Sequence, residues 1–199
     1  MKKLLSIIII FIFILTLSLL LIFVLKPRQR IVHLKDAAIP EWIDPQIIDV
    51  DGISRRGMEL DDIKNIVIHY VGNPGSTAQG NRDYFASESS EVSSHFVVGL
   101  HGEIIQCIPL NERSSASNWR NKDTISIEVC HPDTTGAFNE VTYRSLVKLT
   151  AWLCETSGLV SEDVIRHYDI TGKLCPLYYV ENEGAWIRLL QDINAQLAH

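Results

Sequence analysis

The chain has 199 residues, with 24 acidic against 18 basic side chains and a formal net charge of −6. That balance leaves no basic footprint for nucleic acid. Beyond an N-terminal apolar run, residues 27–199 have the size of one domain with a real core.

The apolar run, Leu4 to Leu25, carries no charge and only Ser6, Thr16 and Ser18 as polar members. As a helix it spans roughly 33 Å, enough for a hydrocarbon core of about 30 Å. It ends in Lys26-Pro-Arg-Gln-Arg30 with no small-residue cleavage site, so residues 1–26 read as an uncleaved membrane anchor rather than a signal peptide. Lys2 and Lys3 before the run and Lys26, Arg28 and Arg30 after it give no clean orientation. Residues 27–60, with scattered Pro40 and Pro45, Gly52 and Gly57 and no sustained period, read as a stalk and lead-in. The domain proper is expected over 61–199.

Lys64 to Tyr70 is a β-branched run that predicts a buried strand, closed by the turn signal Val-Gly-Asn-Pro-Gly75. Asn81 to Ser87 predicts a short helix. Ser94–Val98 and Glu103–Ile108 flank Leu-His-Gly102 as a hairpin, and Asp123–Cys130 predicts another strand. Glu140–Thr156 places Tyr143, Leu146, Val147, Thr150, Leu153 and Cys154 on one helical face, stopped by Gly158. Val164–His167 is a brief strand-like run. A closing helix carries Trp186, Leu189, Leu190, Ile193 and Leu197 as an apolar stripe. Strands alternating with helices predict an α/β fold, a central mixed sheet flanked by helices.

Cys107, Cys130 and Cys154 sit in apolar segments and read as small buried hydrophobes, while Cys175 sits in the polar loop Arg-His-Tyr-Asp-Ile-Thr-Gly-Lys-Leu-Cys-Pro176. His167 and Cys175 are too far apart for a zinc knuckle, so any further ligand must come from elsewhere. His69, at the end of a buried strand, is the candidate. Two imidazoles and one thiolate with a fourth position open is the pattern of a catalytic zinc. Spacing alone leaves the alternative of hydrogen-bonded structural histidines open.

The segments IVIHYVGNPG (66–75), SSHFVVG (93–99), ISIEVCHPD (125–133) and RHYDITGKLCP (166–176) occur in the order found in zinc-dependent N-acetylmuramoyl-L-alanine amidases. The chain resembles that family from about Ser54 to Ile193, and the family shares a fold with bacteriophage T7 lysozyme and the peptidoglycan recognition proteins. The resemblance implies one Zn²⁺ per chain, bound by His69, His167 and Cys175. It implies hydrolysis of the amide between N-acetylmuramic acid and L-alanine in peptidoglycan, with Glu128 as the base and Lys173 stabilising the transition state. Without it, Glu128 also reads as a solvent-facing glutamate and Lys173 as a solvated loop lysine.

Two positions depart from the family pattern. Ser94 stands where the phage enzymes have a catalytic tyrosine, and Ala-Ser-Asn-Trp-Arg (116–120) replaces a Trp-His-Ala-Gly stretch. Asn118 and Trp119 become candidates to line the cleft, with His131 at its rim or in a turn. His95 reads as a packed, hydrogen-bonded histidine. A module that grips muropeptides without cleaving them is the alternative function, although such members typically lack the cysteine that Cys175 supplies. A peptidoglycan substrate places the domain outside the cytoplasmic membrane, as a monomer held by its anchor.

Overall fold

The computed structural model describes residues 11–16, 34–50 and 53–198. Residues 11–16 are helical; the rest of the expected span, 4–25, lies outside the described residues. No helix among the described residues is long and apolar enough to cross a membrane.

Six strands form one sheet in the order β1-β4-β3-β5-β2-β6. They are β1 (Asp44–Pro45), β2 (Asn65–Tyr70), β3 (Phe96–Val98), β4 (Ile104–Gln106), β5 (Thr124–Val129) and β6 (Val164–Arg166). Only β3 and β4 pair antiparallel, as the expected hairpin; the other neighbours are parallel. β2 and β5 are the centre, matched residue for residue from Asn65↔Thr124 to Tyr70↔Val129. Both are covered on two faces, which is why they read as continuous β-branched runs rather than as an alternation.

Alternation along the strands still decides which residue goes where. Ile66, Ile68, Phe96, Val98, Ile125, Ile127 and Val129 face the larger core. There they meet α2 (Glu140–Ser157) through Leu146, Leu149 and Leu153, and α5 (Glu183–Leu197) through Trp186, Leu189 and Ile193. Val97, Ile105 and Cys130 face the opposite way, into a smaller cluster with Ile48, Ala78 and Phe85. Ala78 and Phe85 bracket α1 (Ala78–Phe85), whose N-cap Thr77 accepts from the Gly80 N–H. His69 and Glu128 share this second face. Asn139 caps α2, and Gly158, at φ 66°, ends it as expected.

Residues 34–50 and 53–60, assigned above to a stalk, pack onto the sheet instead. Leu34, Ile43 and Leu60 enter the larger core and Ile48 the smaller one. β1 pairs with β4, and the pairing continues as the Gln46 and Ile48 N–H groups donate to Gln106 and Cys107 carbonyls. Trp42 meets Trp152 edge to face at 6.0 Å, with Lys148 Nζ 4.2 Å from the Trp42 ring centre. These residues fall in short apolar pieces broken by charges and prolines, so no sustained period in the sequence announces their burial. All four cysteines are free and buried, as expected for Cys107, Cys130 and Cys154.

Candidate active site

Three local devices bring the expected ligands together. His69 is the fifth residue of β2, and β6 runs parallel beside it with Ile68 opposite Arg166. The next residue, His167, opens α3 (His167–Thr171), where the Asp169 carboxylate accepts from the Arg166 N–H at 2.8 Å and holds the first turn. The two imidazole rings therefore stand 4.6 Å apart. Gly172, at φ 77°, then reverses the chain after α3, a conformation that favours glycine. Cys175 returns to the site, its carbonyl accepting from the Tyr168 N–H at 2.9 Å. The following helix, α4 (Leu177–Glu181), buries Tyr179 in the larger core and holds this return in place.

The ligand atoms of His69, His167 and Cys175 lie within 4.8 Å of one another, all three residues buried. A tetrahedral zinc with bonds of about 2.0–2.3 Å sets its ligands roughly 3.3–3.7 Å apart, so the cluster is close to that size. The donor set fits such an ion for a second reason. His167 Nε2–H donates to Asn118 Oδ1 at 2.8 Å, which leaves Nδ1 as the unprotonated nitrogen, and that atom is buried without a partner. His69 places Nε2 3.4 Å from Ser117 Oγ, a group that can donate or accept, and turns Nδ1 to Cys175 Sγ at 3.9 Å. Outer hydrogen bonds of this kind select the tautomer and aim the ring.

Burial holds His69 well below the ordinary histidine range, assisted by His167 and Lys173, and lowers His167 in the same direction. Both rings stay neutral and keep a lone pair for a cation. Burial pushes the Cys175 thiol up to about 12, with the Glu128 charge adding to it and the Tyr70 N–H and Lys173 opposing. A thiol so placed gives up its proton only to a cation that replaces it.

Glu128 stands opposite His69 in the β2–β5 register, its Oε1 3.9 Å from His69 Nδ1. Its Oε2 is buried with no partner. Burial raises this carboxyl to about 8, against the pull of Lys173. Lys173 is exposed and lines a cleft of about 590 Å³ together with His69, Glu128, His167 and Asn118.

The three expected substrate contacts separate. Asn118 lines the cleft but spends its side-chain oxygen on His167, from a left-handed backbone at φ 54° that asparagine tolerates. Trp119 is 63 % exposed and does not line the cleft. His131 is buried: its Nδ1–H donates to the Asp133 carbonyl at 2.7 Å and its ring packs 5.0 Å from Tyr70. His95 is packed and hydrogen-bonded, as read. Its Nδ1 accepts from the Ser126 N–H at 3.0 Å and its Nε2–H donates to the Glu112 carbonyl at 2.9 Å. Ser94 lies in the same buried network, donating to Ser126 Oγ at 3.1 Å. Ser117 and the Tyr70 N–H were not among the expected site residues; nothing in their local sequence marks them.

A profile of the family described as N-acetylmuramoyl-L-alanine amidase matches residues 59–177. The chain is 32% identical over 172 residues to N-acetylmuramoyl-L-alanine amidase BlyA of Bacillus subtilis (strain 168), covering 76% of this chain and 46% of BlyA. It is 28% identical over 169 residues to N-acetylmuramoyl-L-alanine amidase CwlL of Bacillus licheniformis, with the same coverage of 76% and 46%. The chain thus spans under half the length of these curated relatives. Among solved structures, a mutant endolysin from Bacillus subtilis superposes with a TM-score of 0.67 at 25% identity, covering 76% of this chain and 97% of that one. PlyL gives 0.69 at 22% identity over 77% and 98%, a likeness of fold. With its mixed sheet, its ordered motifs and a profile match across more than half its length, the chain belongs to the N-acetylmuramoyl-L-alanine amidase family.

Proposed function

We propose that this chain hydrolyses the amide between the lactyl group of N-acetylmuramic acid and the first L-alanine of the peptidoglycan stem peptide. The reaction is zinc-dependent and takes place outside the cytoplasmic membrane, with the apolar run at 4–25 as the tether. The observation that carries the reading is the bare, buried Nδ1 of His167 clustered with His69 and Cys175, at a cleft that an unpartnered Glu128 oxygen also reaches.

His69, His167 and Cys175 would hold a zinc ion, which when bound would supply a water of lowered pKa and a Lewis acid for the scissile carbonyl. Glu128 accepts the proton of the attacking water and returns it to the leaving nitrogen. Its alignment with His69 across two paired central strands fixes it at the ligand cluster without a loop's freedom. Lys173 sets a cation beside the oxygen that becomes negative in the tetrahedral state. Asn118 holds the His167 imidazole in the tautomer that leaves Nδ1 free, and Ser117 lies against the outer nitrogen of His69.

Incubating the purified chain with zinc and cell-wall sacculi tests this. New N-terminal alanine is expected, and intact stem linkages after prolonged incubation of folded, zinc-loaded protein remove the reading. A reporter fused after His199 is expected to be active outside the cytoplasm, and activity confined to the cytoplasm contradicts the location.

A further inference from the structure

His131 is a buried imidazole that no step above uses, and it opens a tight turn, 131–136. It is 1 % exposed and commits its Nδ1–H to the Asp133 carbonyl at 2.7 Å. Its Nε2 is buried with no hydrogen-bond partner among the described residues. A bare, buried nitrogen carries a cost that a phenyl ring would avoid.

The turn is stiffened from within and tied down at both ends. The Asp133 carboxylate accepts from the Thr135 N–H at 2.9 Å and the Thr135 hydroxyl at 2.5 Å. The Gly136 N–H donates to the Asp133 carbonyl at 3.3 Å. At the start, the His131 carbonyl accepts from the Gly75 N–H at 2.9 Å, which joins the turn to the loop after β2. Beyond its exit, the Phe138 ring lies 4.7 Å from that of Tyr179 in α4.

Two segments that carry expected metal ligands meet on this turn. One is the end of β2, where Tyr70 follows His69; the Tyr70 ring lies 5.0 Å from the His131 ring, their planes 32° apart. The other is the start of α4, where Leu177 follows Cys175 by two residues. Gly136 touches both. A Cβ at this position would lie 3.3 Å from Tyr70 Cδ2, 3.3 Å from Leu177 Cβ and 3.4 Å from the Tyr178 nitrogen. The backbone there is at φ 74°, a conformation that favours glycine for a second reason. His69 Nδ1 and Cys175 Sγ, 3.9 Å apart, belong to the two segments so joined.

We propose that the turn 131–136 is a positioning clamp for the ligand cluster, in which His131 and Gly136 act through Tyr70 and Leu177 to hold His69 and Cys175 in register. The inference deepens the zinc reading, and one arm of its test is independent of that reading.

The test uses the full chain and the variants His131→Ala, Gly136→Ala and His131→Phe. The first readout needs no metal. Zinc-free protein is alkylated with iodoacetamide, and the rate at each cysteine is followed by mass spectrometry of its peptide. Cys175 is 2 % exposed, so it reacts when the joined segments part. His131→Ala and Gly136→Ala are expected to speed its alkylation about 10-fold or more, with buried Cys107 and Cys154 staying at wild-type rates. The second readout is zinc affinity by chelator competition, together with the thiolate-to-metal charge-transfer band of cobalt-loaded protein. The same two variants should lose about 10- to 100-fold in zinc affinity and shift that band. His131→Phe keeps a ring against Tyr70 and removes the bare nitrogen, so it should match wild type in both readouts.

Either readout unchanged in the two disruptive variants overturns the proposal. Equal acceleration at every cysteine does so too, because it reports general loosening, as does His131→Phe behaving like His131→Ala. Wild type that takes up neither metal defeats the zinc site alone, and the alkylation rates then decide the turn. Should His131→Ala fail to fold, Gly136→Ala set against His131→Phe decides it on the same criteria.

Discussion

His69 and Glu128 face each other across the central pair of parallel strands, one residue in β2 and its register partner in β5, with Nδ1 and Oε1 3.9 Å apart. The spacing between an expected ligand and the expected base is therefore set by the sheet itself. Glu128→Gln keeps the shape of the side chain and removes its ability to take a proton. It is expected to lower kcat by about 10²- to 10⁴-fold while leaving zinc content and the unfolding midpoint close to wild type. Retained turnover in a zinc-loaded Glu128→Gln protein would show that the base lies elsewhere.

Asn118 orients His167 through the 2.8 Å bond to Nε2–H, and that role separates it from a simple wall of the cleft. Asn118→Gly suits the φ of 54° and deletes only the acceptor. Zinc affinity should fall about 10- to 100-fold, the usual cost of losing an outer partner of a metal-binding histidine. Competition against a fluorescent chelator reads this directly; unchanged affinity would leave Asn118 no part in holding the ring.

His95 supplies a pH dependence of stability remote from the metal. Burial lowers it to about 4 from an ordinary 6.5, against the raising effect of Glu112. The unfolded chain then binds a proton that the folded chain refuses between these values. The stabilisation is fully present above pH 6.5 and is lost as pH falls towards 4, a change of about 3 kcal/mol. Urea unfolding of the zinc-free protein at several pH values should show a shallower slope for His95→Gln than for wild type across that window. Parallel slopes contradict the assignment.

Ile43 tests the packing of the N-terminal segment. It is 3 % exposed within the larger core, so Ile43→Ala is expected to cost about 2–5 kcal/mol in chemical denaturation. A loosely attached stalk predicts almost no change.

The parts of the fold that a sequence announces are those with a sustained period. β2 and β5 show as β-branched runs, α2 as an apolar face ended by Gly158, and α5 as a stripe from Trp186 to Leu197. β1 shows nothing, because two residues, one of them proline, pair along the outer edge of β4. Leu34, Ile43 and Ile48 are equally silent, falling among prolines and charges with no sustained period. At the site, His69 could be suspected from its place at a strand end, but its partnership with His167 and Cys175 came from the ordered motifs and not from spacing. Asn118 lines the cleft as read, and its side-chain oxygen also accepts from His167. Only the folded chain shows that its side chain crosses to β6's end. Trp119, its neighbour, turns into solvent.

Metal content in wild type and Cys175→Ser, measured on the same purified and folded preparations, tests the central claim most directly. One zinc per chain in wild type and a large loss of zinc in Cys175→Ser, with the unfolding midpoint of the zinc-free proteins little changed, is the predicted result. Equal zinc in both proteins, or none in either, contradicts a site built from His69, His167 and Cys175.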